Sequence, residues 1–125
     1  MRDMNKNKII EISNKVLEMV IEHYGLSNHH YDTPYLIIED SPYSDADDKD
    51  LIGEYCMMMN ELVVYWKNIK DTESLIRTIV HEYQHYLQSP TWMSRYYNMG
   101  YGYSNHPYEV AAYKEEENWV NFNTF

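Results

Sequence analysis

The pattern of apolar residues predicts an α+β fold in one domain spanning residues 1–125. Three observations carry this. The hydrophobic period runs helical, then strand-like, then helical twice more, so strands are not interleaved with helices as in a doubly wound sheet. The strand-like runs are short and close together, which limits the sheet to a few strands. The chain is 125 residues long and 44% hydrophobic, enough for one core, and no linker or repeat divides it.

Each element has its own signal. Residues 7–24 read as an amphipathic helix. Ile9, Ile12, Val16, Val20 and Tyr24 recur at helical spacing, and Gly25 is a natural stop. A polar loop over 26–34 ends at Pro34. Tyr35-Leu-Ile-Ile-Glu39 is a β-branched run of strand type. Residues 41–50 form an acidic, turn-rich loop. Two more strands are expected at 52–58 and 61–66, joined tightly at Met59-Asn60 as an antiparallel hairpin, so the small sheet is expected to be mainly antiparallel. Asp71 or Thr72 caps a helix that runs to about Gln88, with Leu75, Ile76, Ile79, Tyr83 and Tyr86 on its apolar face. Ser89-Pro90 ends it. Residues 90–105 have weak periodicity and read as a connection. A last helix starts at Pro107, a favoured first helical position, and reaches about Val120.

Composition removes some functions. The formal net charge is −10, with no dense Lys/Arg cluster, so direct nucleic-acid binding is not expected. No run approaches the roughly 18 apolar residues of a membrane span, and the N-terminus lacks the apolar core of a signal peptide. Cys56 is the only cysteine, which excludes an intrachain disulfide and suits a reducing compartment. A cytoplasmic protein is expected, with a monomer as the default. The 14 tyrosines imply a core that is partly amphipathic.

The chemistry lies in His81-Glu82-Tyr83-Gln84-His85. Two histidines four apart on a helix share one face, so both imidazoles can address one metal ion. Glu82, beside the first, can reach a water held by that ion. This is the HExxH arrangement, in which the glutamate is a general base and not a ligand. Catalytic zinc usually takes three protein ligands and keeps a position open. Glu109, at the start of the last helix, is the expected third. A carboxylate there is favoured by the helix dipole, and Ala112 one turn on lets two helices approach. Tyr113 and Glu116 share that face. His106, Glu116 and Glu117 are the alternatives, and spacing does not choose among them.

Other features read as structural. A calcium loop starting at Asp45 fails, because Asp50 stands where glycine is needed and Cys56 where a glutamate is needed. His29-His30 is a loop pair. Cys56 reads as a small core residue, and Trp66, Trp92 and Trp119 read as packing anchors.

HEYQHYLQS on one helix, followed by HPYEVAAY on the next, resembles the compact zincin metallopeptidases of the gluzincin type. The likeness is to the small minigluzincins and to ImmA/IrrE-like peptidase domains. It covers about residues 50–117, including the GEYxxxxNELVVY hairpin. It implies a zincin-like fold: an N-terminal helix and a small sheet before the HExxH helix, then a helix whose Glu109 and Ala112 stand in an ExxA-like context. It implies Zn(2+) held by His81, His85 and Glu109, with Glu82 as base. It also implies a peptide or protein substrate lying along a sheet edge, the 52–58 or the 61–66 strand. The chain departs from the larger gluzincins. Pro107-Tyr108-Glu109 replaces their Asn-Glu pair, and 125 residues are expected to leave no room for a separate C-terminal domain carrying substrate-binding residues.

The expected activity is hydrolysis of peptide bonds by a metal-activated water. Negative charge on the tetrahedral intermediate calls for a further donor, for which Tyr113, Tyr108 and His106 are candidates. The alternative is a catalytically silent or regulatory zincin-fold binding module; the intact Glu82 argues against it, since binding metal needs no base. The Phe-containing tail after Val120 is a candidate to occupy the cleft.

Overall fold

Helix α1, Lys6–Tyr24, opens the domain in the computed structural model, which describes residues 4–41, 51–102 and 105–125. Asn5 caps it by accepting from the Lys8 N–H at 2.9 Å. Ile9, Ile12, Val16 and Val20 form its buried stripe, as the spacing predicts, and Gly25 leaves the helix at φ 81°.

The sheet has three strands: β1 (Tyr35–Glu39), β2 (Gly53–Cys56) and β3 (Glu61–Tyr65), in the order β1-β3-β2. β2 and β3 form the expected antiparallel hairpin, with Cys56 opposite Glu61. β1 pairs with β3 in parallel, so the sheet is mixed, with one pair of each sense. β3, last of the three in sequence, lies between β1 and β2. β3 is central, and its Leu62, Val63, Val64 and Tyr65 are all buried, as a strand covered on both faces requires. β2 stops earlier than expected. Met57–Asn60 form the turn, and Asn60 takes the left-handed conformation at φ 52°. Its side chain is fully used: Nδ2 donates to the Asp32 and Thr33 carbonyls, and Oδ1 accepts from the Tyr55 hydroxyl.

A short 3-10 turn, Trp66–Asn68, leads into α2, Thr72–Leu87, with Asp71 as its N-cap. α2 is the hub. It packs against α1, β2, β3 and the helical segments over residues 107–122. Leu75, Ile76, Ile79, Tyr83 and Tyr86 are wholly buried on it. The two tyrosines show the expected amphipathic core: the Tyr83 hydroxyl donates to the Gly25 carbonyl, and that of Tyr86 to the Asp32 carbonyl.

Residues 90–98 are helical and not an irregular connection. Ser89 caps α3, Pro90–Asn98, by accepting from the Trp92 N–H. α3 buries none of its residues, so no core-facing period marks it. The last helix is shorter than expected. α4 covers Pro107–Glu115, and Glu116–Phe122 continues as a 3-10 helix. In that geometry side chains three apart align, so Glu116, Trp119 and Phe122 form one row. Phe122 ends the row in the core, beside the rings of His23 and Tyr24. It is therefore packed against α1 and does not fill a cleft. Cys56 is half-buried, and Trp92 is exposed where a packing anchor was expected. The acidic loop read over 41–50 lies almost wholly outside the described residues. No helix among the described residues is long and apolar enough to cross a membrane.

Candidate metal centre

α2 presents His81 and His85 one turn apart, with ring centroids 5.1 Å apart. α4 crosses this face and brings in Glu109 from its first turn. Ala112, fully buried, is the small residue at the crossing. The Nε2 atoms of both histidines lie 2.9 Å from the same oxygen, Glu109 Oε1. His81, His85 and Glu109 thus offer three donor atoms within 4.8 Å of one another, in a set able to hold a metal ion.

The far side of each ring is held as well. His81 Nδ1 lies 2.7 Å from Glu116 Oε2, and His85 Nδ1 lies 2.7 Å from Gln88 Oε1. Gln88 is oriented in turn, because its Nε2 donates to the Tyr108 carbonyl at 3.0 Å. With acceptors on both Nδ1 atoms, a ring that gives up its Nε2 hydrogen keeps the one on Nδ1. Each neutral imidazole then aims its Nε2 lone pair at one point beside Glu109, which is the tautomer a metal needs. The residues present therefore fit a bound ion.

Among the protein's own groups, the carboxylates favour the protonated imidazoles. Burial disfavours charge on His81, but its bonds to Glu109 and Glu116 and the charge of Glu82 outweigh this and raise its pKa to about 10. His85 is raised for the same reasons, through Glu109 and Glu82. Burial likewise opposes ionised Glu109, yet the two histidine bonds hold it down at about 2. Glu82 behaves differently. Burial pushes it up, its histidine neighbours pull it back only in part, and it settles at about 7.

The other sequence candidates fall elsewhere. His106 is wholly buried and serves as the N-cap of α4. Its Nδ1 accepts from the Tyr108 N–H, and its Nε2 donates to the Met93 carbonyl. Both nitrogens are occupied, so His106 is available neither as a ligand nor as an oxyanion donor. Glu116 meets the outer nitrogen of His81 and so is not on the ligand side. Glu117 is exposed. Tyr113 stands edge-on to His81, with centroids 4.7 Å apart. Tyr108 contributes its carbonyl to Gln88.

Two clefts flank Glu82. One, of about 400 Å³, has Glu82, His85 and Glu109 in its wall; the other, of about 410 Å³, has Glu82, His81 and Tyr113. Gln88 and Tyr97 were not anticipated as site residues. Gln88 stands three residues beyond His85 on the same helix face, a spacing that was available in the sequence. No protein-family model, curated protein or solved structure matches this chain.

Proposed function

We propose that this protein is a zinc-dependent peptidase in which Glu82 is the general base. The observation that carries the reading is the convergence of His81 Nε2, His85 Nε2 and Glu109 Oε1 beside Glu82, with both outer histidine nitrogens held. Two imidazoles and one carboxylate form a donor set that catalytic zinc uses, and it leaves a coordination position open. When bound, such an ion supplies Lewis acidity and makes water a usable nucleophile near neutral pH.

The chain's own groups do the rest. Glu82, with its pKa near 7, takes a proton from the attacking water as oxygen joins the carbonyl carbon. It gives that proton to the leaving nitrogen as the C–N bond breaks. Tyr113 is the one of the three candidate donors that lines a cleft beside Glu82, which favours it as the hydrogen-bond donor to the developing oxyanion. Of the two strands expected to receive an extended substrate, β2 is an edge of the sheet and β3 is paired on both sides.

The test is Glu82→Gln with metal analysis alongside a chelator-sensitive cleavage assay on a mixed peptide library. Zinc should be retained and cleavage should fall by about 10²–10⁴-fold. Full activity in that variant would sink the mechanism. Absence of chelator-sensitive cleavage by the wild type would leave a metal-holding binding module.

A further inference from the structure

The N-cap of α4 is a place where short side chains such as Ser, Thr, Asp and Asn usually stand. Here it is His106, wholly buried. Any of the short residues could accept from the Tyr108 N–H, as His106 Nδ1 does at 3.1 Å. None of them has a second polar atom on the far side of a rigid ring. His106 uses that atom: its Nε2 donates at 3.1 Å to the Met93 carbonyl on α3, 13 residues back. Among the described residues no other hydrogen bond joins α3 to another element. Tyr96 and Tyr97, both on α3, set their rings against the same imidazole, with centroids 5.4 and 4.4 Å away. α3 buries none of its own residues, so it lacks the core-facing stripe that fixes α1 and α2. His106 is the side chain that meets both its backbone and its rings.

We propose that His106 is a positioning residue that ties α3 to the helix carrying Glu109. Through Nδ1 it sets the first turn of α4, in which Glu109 stands. Through Nε2 it holds α3, whose Met93 and Tyr97 line the cleft that also contains Glu82, His85 and Glu109. Both bonds need one neutral tautomer, with Nδ1 bare and the hydrogen on Nε2, because the partners are an N–H and a carbonyl. A single ring thus fixes a proposed metal ligand and one wall of the cleft beside it, and a displacement of α3 pulls on the turn that presents Glu109. For its bearing on catalysis this rests on the peptidase reading; its bearing on metal affinity and on the seating of α3 does not.

The experiment compares two substitutions in the full zinc-loaded chain. His106→Asn keeps an acceptor for the Tyr108 N–H and gives up the reach to Met93. His106→Phe keeps a ring beside Tyr96 and Tyr97 and gives up both nitrogens. Hydrogen exchange of the α3 amides is followed against that of α1, and zinc affinity is measured by chelator competition. Exchange in α3 should be about three- to tenfold faster in both variants, with α1 unchanged. Zinc affinity should stay within about twofold of the wild type in His106→Asn and fall about fivefold in His106→Phe. Unchanged α3 exchange in both variants, or the same zinc affinity in the two, would overturn the proposal. If His106→Phe does not fold, His106→Asn decides alone: faster α3 exchange with wild-type zinc affinity upholds the proposal, and any other result overturns it. The expected shifts without chelator-sensitive cleavage by the wild type would overturn only the peptidase reading.

Discussion

The outer nitrogens of His81 and His85 decide how well the inner ones can serve a metal. Glu116 and Gln88 meet the two rings at Nδ1, away from the Nε2 atoms that converge on Glu109. Partners of this kind are worth about 10–100-fold in metal affinity. Glu116→Ala and Gln88→Ala should each weaken zinc by that factor in a chelator competition, with the circular dichroism spectrum unchanged. Unaltered affinity in both would remove the orienting role. At this scale the helix spacing made His81, Glu82 and His85 legible, because their juxtaposition is local. Glu109 was legible as an acidic residue on a helix with a small neighbour at the crossing. The part of Glu116 was not. A carboxylate that ligates and one that orients differ only in which ring nitrogen they meet, and that depends on the 3-10 path after α4. His106 was misjudged for a related reason: as the residue before Pro107 its ring folds back onto the Tyr108 N–H and becomes a cap.

Among the elements, β2 lies close against α2 at Gly53. A Cβ there would run into the Thr78 methyl and come within 3.1 Å of the Val63 carbonyl oxygen and 3.6 Å of Glu82 Cγ. Gly53→Ala should therefore cost about 1–3 kcal/mol in urea unfolding, as overpacking does. Adding Thr78→Ser removes the methyl while keeping the hydroxyl that bonds the Ser74 carbonyl, and should restore part of the loss. No restoration would place the cost elsewhere. The elements that bury a periodic face, α1 and α2, were readable almost to the residue. α3 was missed because its apolar stripe looks into a cleft and is too short to show a period against its exposed aromatics. The parallel pairing of β1 was unreadable, since a five-residue strand carries no mark of its partner's direction. The 3-10 ending of α4 was hidden because helix-forming residues fill it, and tertiary packing of Trp119 and Phe122 sets its pitch.

For the whole molecule, protons would compete with a metal ion for the same cluster. In chelator-treated protein His81 keeps its proton up to about pH 10, against about 6.5 when unfolded, so its contribution to stability is complete below pH 6.5 and lost as pH rises through 10. Glu109, lowered to about 2, contributes above pH 4.5 and loses this as pH falls toward 2. Glu82, raised to about 7, works against the fold as pH climbs from 4.5 to 7. The metal-free form should be most stable between pH 4.5 and 6.5. Zinc requires neutral imidazoles and must displace those protons, so its affinity rises with pH. The gap in melting temperature between zinc-loaded and chelator-treated protein should widen from pH 6 to pH 8, and a narrowing gap would exclude these histidines as ligands. The row Glu116–Trp119–Phe122 adds an order of events. Translation releases His81, Glu82 and His85 well before Glu109 and Glu116. A nascent chain therefore exposes Glu82 and both imidazoles before the carboxylate that meets them and the core anchor Phe122 are present. The three donor side chains therefore come together only after α4 has been made and packed against α2, with Phe122 seated beside α1.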